Sequence, residues 1–109
     1  MQPLALSISG CNEALGMENY NISDSSIQAS SMDSQLGKPS NGRLNKSPID
    51  GEYGGWIAAD ADQNPWFQVD FGNWTKVTGI STQGRSDKGE WVTKYRVSYS
   101  YDGLLFAEY

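Results

Sequence analysis

Residues 91–100 constrain the fold more than any other stretch, because apolar or aromatic side chains alternate with polar ones almost throughout. One face of this segment carries Trp91, Thr93, Tyr95, Val97 and Tyr99. Successive side chains of a strand point to opposite faces, so a two-residue repeat predicts a strand with one wet face. A preceding strand candidate reaches it through a turn over residues 84–90, which holds two cations and two acids. A charged loop on a strand scaffold favours a binding module over a catalyst.

The rest of the chain also predicts an all-β domain. No long window has the 3.6-residue apolar repeat of an amphipathic helix, and twelve glycines and four prolines divide the 109 residues into short runs. Further strands are predicted over residues 27–31, 66–71, 77–83 and 104–109. Asp102-Gly103 is a hairpin signal before the last of these. Trp56 follows Gly54-Gly55 and is expected to be buried, and the aromatic residues in general are expected to serve packing.

Composition excludes several classes of function. The net charge of −5 makes a nucleic-acid partner unexpected. The chain has no histidine, so the commonest general acid–base and the commonest metal ligand are missing. A Ser-His-Asp or Cys-His arrangement cannot be built, and no pair of carboxylates marks a cleft. We therefore expect no enzymatic activity.

The single cysteine and the glycosylation sequons are the residues that would indicate whether the protein is secreted. Cys11 is the only cysteine, which in a cytosolic protein is usually a small buried residue and in a secreted protein indicates a missing partner. Asn-x-Ser/Thr sequons begin at Asn21, Asn45 and Asn73 and matter only in a secreted protein. Pro48 and Trp74 are expected to weaken the second and third. Asn21 and Asn73 are retained as candidate glycosylation sites.

Short blocks along the chain follow the order of a known family. They are Gly10-Cys11, Leu15-Gly16-Met17-Glu18, Ile27-Gln28-Ala29-Ser30-Ser31, Arg43-Leu44-Asn45, Gly55-Trp56, Trp66-Phe67-Gln68-Val69-Asp70-Phe71-Gly72, Thr82-Gln83-Gly84-Arg85 and Trp91-Val92-Thr93-Lys94-Tyr95. In this order they resemble the discoidin, or coagulation factor V/VIII type C, domain. From Gly54 on, the chain is most similar to the discoidin domain of contactin-associated adhesion receptors.

The resemblance implies a jelly-roll-like, galactose-binding-like β-sandwich with ligand loops at one end. It also implies an extracellular location, in a secreted protein or in the ectodomain of a membrane protein. Residues 1–9 would be an N-terminal extension and residues 10–109 a partial domain, incomplete at the C-terminus. The family's domain continues past the hairpin and ends in a cysteine that pairs with the first, here Cys11, whose partner is absent from this chain. Open sheet edges and an exposed core face predict poor stability of the isolated chain.

The same resemblance directs attention to two loops. In the first, residues 32–42, the candidate ligand contacts are Met32, Asp33, Leu36 and Lys38. In the second, residues 84–90, they are Arg85, Lys88 and Glu90, the cations being able to pair with carboxylate, sulfate or phosphate. For Arg85 the alternative is an ion pair within the domain, for example to Asp50 or Glu52, and for Lys88 simple solvation is favoured.

The first loop lacks Trp and Phe and has only modest apolar content, which favours a protein or glycan ligand over a membrane. We expect a non-catalytic adhesion module that recognises a cell-surface or matrix protein or a glycan. The alternatives are peripheral binding to anionic phospholipid such as phosphatidylserine, and a carbohydrate-binding module attached to an enzyme. Asp60-Ala61-Asp62-Gln63-Asn64 resembles the start of a calcium loop, but Pro65 and Phe71 stand where an EF-hand needs Gly and Glu. No cofactor or metal is therefore expected, and a structural calcium ion is kept as an alternative.

Overall fold

The computed structural model describes residues 4–10 and 13–109, and within these ranges the chain forms short strands and single 3-10 turns. The strands are β1 (Ala5–Gly10), β2 (Glu13–Ala14), β3 (Ile27–Ala29), β4 (Phe67–Val69), β5 (Gly79–Gln83), β6 (Ser98–Tyr99) and β7 (Ala107–Glu108). The 3-10 turns are Asp24–Ser26, Gln35–Gly37 and Pro39–Asn41. The all-β prediction is confirmed, and β3, β4 and β5 lie inside predicted strands.

The largest sheet has β1 at its centre, in the order β2-β1-β5. β1 runs antiparallel to β5, with Ala5 opposite Gln83 and Ser9 opposite Gly79. Ala5, Leu6 and Ile8 of β1 are buried. Residues 5–9, assigned from the sequence to an N-terminal extension, thus form the middle of a sheet. The domain start at Gly10 stays a prediction.

The hydrophobic core lies beside β1 and beneath the β3–β4 pair. Its buried members are Leu6, Ile8, Met17, Ile22 and Ile27, against which Leu15, Phe67, Val69 and Phe71 pack. Alternation in residues 66–71 predicted one shared face for Phe67, Val69 and Phe71, and these side chains do reach the core. Full burial of an aliphatic side chain contributes about 1.5–3 kcal/mol, so this cluster holds the N-terminal part of the chain together.

Trp56 is buried, as predicted, and is also hydrogen-bonded. Its indole Nε1 donates to the carbonyl oxygen of Ser31 over 2.8 Å. Its ring centroid lies 5.4 Å from that of Phe67. The indole N–H, which needs a hydrogen-bond acceptor when a tryptophan is buried, therefore has one.

Arg43 is the one charged residue among those the structure describes as buried, at 1% exposure. Its guanidinium donates to the carbonyl oxygens of Met17 and Ile22, each over 2.8 Å, and to Asp24 Oδ1 over 2.6 Å. Its Cζ lies 4.2 Å from the ring centroid of Tyr20. Arg43 thus fastens the turn over residues 17–24 to the core, and its charge is met by hydrogen bonds as burial demands.

The predicted strand over residues 91–100 is wrong for most of its length. Only Ser98–Tyr99 form a strand, β6, which pairs antiparallel with β7. The hairpin at Asp102-Gly103 is confirmed, with Gly103 at a φ of +77°. Trp91, Tyr95 and Tyr99 are exposed, so the prediction that they serve packing is also wrong. Alternation fixes which side chains share a face, but burial additionally needs a neighbouring element, which this pattern does not supply.

Candidate binding loops

Three loops that are distant in sequence lie against one another. Together we call them the loop cluster, which comprises residues 32–38, 46–54 and 84–90. The Tyr53 amide donates to the carbonyl oxygen of Leu36 over 2.7 Å, joining the first loop to the second. The Gly54 amide donates to Asp87 Oδ1 over 3.0 Å, and the Ser86 amide returns a bond to the Gly54 carbonyl over 3.2 Å. Backbone contacts therefore fix all three loops relative to one another.

Local sequence explains how these loops turn. The Ser34 hydroxyl accepts a hydrogen bond from the Leu36 amide over 3.2 Å and caps the 3-10 turn. Asp50 and Gly51 take φ values of +52° and +79°, in the left-handed region that Asn, Asp and Gly tolerate best. At Gly54 a Cβ atom would overlap the Ser86 hydroxyl and lie 2.9 Å from its backbone nitrogen. The second and third loops can therefore approach each other only because residue 54 is glycine.

Arg85 organises the third loop from within. Its side chain is 8% exposed and pairs with Asp87 over 2.9 Å and with Glu90 over 3.0 Å. Its Cζ lies 4.3 Å from the ring centroid of Tyr53 on the second loop. The hydrogen bond from Arg85 holds the pKa of Asp87 far below its usual range, and the same bond raises the pKa of Arg85.

These contacts bear on two sequence hypotheses for Arg85. Its charge is matched inside the domain, as the structural alternative expected, but by Asp87 and Glu90 and not by Asp50 or Glu52. Ligand binding by Arg85 stays a prediction. Ligand binding by Lys88 also stays a prediction; its side chain is exposed and in no ion pair of the described residues.

Lys38 joins the first loop to the second. Its Nζ lies 3.0 Å from Glu52 Oε1, and this hydrogen bond lowers the pKa of Glu52. Both side chains are partly exposed, so water screens the pair and its contribution to stability is small. The predicted ligand contact Lys38 thus already has a partner on the neighbouring loop.

The side chains that the cluster leaves exposed are mostly apolar or acidic. Met32, Asp33, Leu36 and Glu90, all predicted site residues, are exposed. Ile49 is also exposed, and sequence reasoning missed it. The available signal was its position in Pro48-Ile49-Asp50-Gly51, an apolar residue at the tip of a turn.

The charge of the loop cluster is slightly negative. Its cations are Lys38, Lys46, Arg85 and Lys88, and its acids are Asp33, Asp50, Glu52, Asp87 and Glu90. Four cations against five acids leave a net charge of −1. No strong positive field is therefore available to attract a phosphate-rich ligand.

The remaining predicted sites lie outside this cluster. Cys11, for which the resemblance predicts a disulfide with a partner absent from this chain, lies outside the described residues. Asn21 and Asn73 are both exposed. In the calcium-like segment, Asp62 Oδ2 accepts hydrogen bonds from the hydroxyls of Ser30 and Ser31, each over 2.6 Å. These bonds lower the pKa of Asp62 and tie its loop to the end of β3.

Residues 4–10 and 13–109 contain no group of three or more Asp, Glu, His or Cys side chains placed to hold a metal ion. No helix in these ranges is long and apolar enough to cross a bilayer.

Comparisons with known proteins agree with the sequence blocks. The model of the F5/8 type C domain matches residues 26–109. The human EGF-like repeat and discoidin I-like domain-containing protein 3 is 41% identical over 117 residues, covering 100% of this chain and 24% of the relative. Lactadherin of Sus scrofa is 36% identical over 114 residues, covering 97% and 27%. Retinoschisin of Mus musculus is 33% identical over 96 residues, covering 86% and 43%.

The chain spans less than half the length of each of these relatives. No solved structure matches it significantly. The family match nevertheless covers most of the chain, and it includes the paired strands β3 and β4 and the third loop of the loop cluster. The chain therefore belongs to the F5/8 type C, or discoidin, family, and it is a β-sandwich domain of an extracellular protein.

Proposed function

We propose that this domain is a non-catalytic binding module that recognises an extracellular protein or a glycan through the loop cluster. The supporting observation is that three separate loops are fixed by hydrogen bonds between them while Met32, Leu36, Ile49 and Lys88 remain available at the surface. A surface held rigid before binding loses little conformational freedom when the ligand arrives. The chain has no histidine, and the carboxylates Glu52, Asp87 and Glu90 are paired with cations, so this rigid surface suits recognition better than chemistry.

Charge favours a protein or a glycan over an anionic membrane. Most of the cluster's charge is paired internally, through Arg85 with Asp87 and Glu90 and through Lys38 with Glu52. The net charge of the cluster is negative, as is that of the chain. Approach to a phosphatidylserine surface is therefore repulsive at long range, whereas neutral hydroxyls or a basic protein patch carry no such penalty.

One observation supports the phospholipid alternative. Met32, Leu36 and Ile49 are exposed on the first two loops, and insertion of each into an apolar phase would contribute about 1.5–3 kcal/mol at most. Three such side chains are enough for measurable attachment if all of them insert together. This alternative therefore needs a direct test.

Binding of the labelled, purified domain to intact cells tests the proposal. Met32→Ala/Leu36→Ala and Lys88→Ala are compared with Lys76→Ala, which removes an exposed lysine outside the cluster. We expect a loss of affinity of about tenfold for the double variant and less for Lys88→Ala, since a minority of contacts carries most binding energy. Lys76→Ala should bind like the parent. Equal losses in Lys76→Ala and Lys88→Ala would contradict a role for the loop cluster.

Treatment of the cells identifies the ligand class. Protease treatment should abolish binding to a protein, and glycosidase treatment should abolish binding to a glycan. Co-sedimentation with phosphatidylcholine vesicles, with and without phosphatidylserine, serves as the opposing measurement. Binding that requires phosphatidylserine and disappears in Met32→Ala/Leu36→Ala would replace the proposal with the phospholipid alternative.

A further inference from the structure

Three aromatic rings form an exposed group far in sequence from the first two binding loops. Trp74 and Tyr101 are 85% and 77% exposed, and their ring centroids lie 4.9 Å apart. The ring of Tyr99 lies 5.9 Å from that of Tyr101 in an edge-on arrangement. The loop after β4 and the β6–β7 hairpin therefore meet through their side chains. Contiguous aromatic surface of this kind usually has a partner that covers it.

A glycosylation sequon begins at the residue before Trp74. Asn73-Trp74-Thr75 lies in an exposed loop, and the Thr75 hydroxyl donates to the Asn73 carbonyl oxygen over 2.9 Å. The Asn73 side chain is exposed, as a glycosylation acceptor must be in the folded domain. Because consecutive Cα atoms are about 3.8 Å apart, a sugar on Asn73 has the Trp74 ring within its reach.

The sequon at Asn45 is different. The Asn45 amide donates to Glu18 Oε1 over 3.0 Å, and its Oδ1 accepts from Gln83 Nε2 over 3.1 Å. Its backbone takes a φ of +56°. A sugar on Nδ2 would compete with the hydrogen bond from that atom to Glu18 in the folded domain, so Asn45 supplies an internal comparison for Asn73.

We propose that Asn73 carries an N-linked glycan whose first sugars pack on the rings of Trp74 and Tyr101. The modification forms a bond between Asn73 Nδ2 and C1 of the sugar. It breaks the bond from that C1 to the diphosphate of a lipid-linked oligosaccharide donor, and the amide proton leaves with the diphosphate. A sugar ring presents a face of C–H groups, and aromatic rings pack well against such a face.

Under this proposal Trp74 affects both the attachment of the glycan and its packing. The sequence predicts that Trp74 makes Asn73 a weaker acceptor, whereas the structure makes the same ring a contact for the attached sugar. The domain is extracellular, so it passes the compartment in which such glycans are attached.

Secretion of the chain from a eukaryotic cell line, followed by peptide mass spectrometry with enzymatic glycan release, tests the attachment. We expect glycan on Asn73 and none on Asn45. Thr75→Ala, which removes the sequon and keeps Asn73, should abolish the modification at that site. Unmodified Asn73 in the secreted protein would overturn the proposal.

Hydroxyl-radical footprinting of the same material tests the packing. Labelling of Trp74 and Tyr101 should rise at least about twofold after glycan release, since one face of each ring is then uncovered. Trp66 and Trp91 are also exposed and have no sequon beside them, so their labelling should stay constant. Released wild type and Thr75→Ala should agree, which guards against a folding defect in the variant. Equal labelling with and without glycan would overturn the packing.

Discussion

The two parts of the chain on either side of Gly72 use similar residues but bury them differently. The buried hydrophobic residues of the described chain all lie between Ala5 and Ala58. After Gly72, Trp74, Leu104 and Leu105 are more than 80% exposed. The first part is joined by long-range strand pairs and by Arg43, whereas β5 is the strand through which the second part enters the main sheet. An apolar pattern thus becomes a core only where a distant segment covers it.

Deletion of residues 1–9 should have the largest effect on the contrast between the two parts of the chain. The deletion removes most of β1, the central strand between β2 and β5, together with Ala5, Leu6 and Ile8 of the core. We expect loss of cooperative thermal unfolding, measured by circular dichroism. A deletion variant that melts like the parent would instead support a domain that starts at Gly10.

Two arginines give the next largest contrast. Arg43→Met removes the partner of three hydrogen-bond acceptors, the carbonyl oxygens of Met17 and Ile22 and Asp24 Oδ1. Each buried acceptor left unsatisfied costs about 1–3 kcal/mol. Arg96→Met removes a side chain that is 84% exposed and 4.0 Å from Glu108, so it should change the free energy of unfolding little. Denaturant unfolding measures both. Equal effects would mean that the second part is as tightly held as the first.

A matched pair of leucines sharpens the same contrast. Leu6 is 9% exposed and belongs to the core, whereas Leu104 is 83% exposed. Leu6→Ala should lower the free energy of unfolding by about 2–5 kcal/mol, and Leu104→Ala by less than about 0.5 kcal/mol. A large effect of Leu104→Ala would show that its exposure does not persist in solution.

The smallest stability effect concerns pH and the third loop. Because Arg85 holds the pKa of Asp87 below its ordinary value of 3.8, the pair stabilises the fold above that pH and is lost as the pH falls below it. Asp87→Asn should therefore lower the melting temperature by a constant amount near neutral pH and by less below about pH 4. Asp50→Asn removes an exposed carboxylate in no ion pair of the described residues and provides the control. A difference that grows on acidification would contradict the pairing.

Sequence reasoning reached the parts of this structure that depend on local chemistry. Turn residues gave the all-β class and the hairpin at Asp102-Gly103, and alternation in residues 66–71 gave the core face of β4. It missed β1 and overextended the strand at residues 91–100, because both depend on which distant segment lies alongside. For Arg85 the sequence predicts an ion pair within the domain with Asp50 or Glu52 and misses Asp87 and Glu90, since the loop's fold decides which acid is in reach.

Cell binding by Gly54→Ala and Gly89→Ala, measured side by side, tests the central claim that contact between the loops creates the binding surface. A Cβ at residue 54 would push against Ser86 and separate the second and third loops, whereas one at residue 89 meets no atom within 4 Å. The account predicts that Gly54→Ala loses affinity by about tenfold while Gly89→Ala binds like the parent and both variants remain folded. Unchanged binding by folded Gly54→Ala would contradict the account.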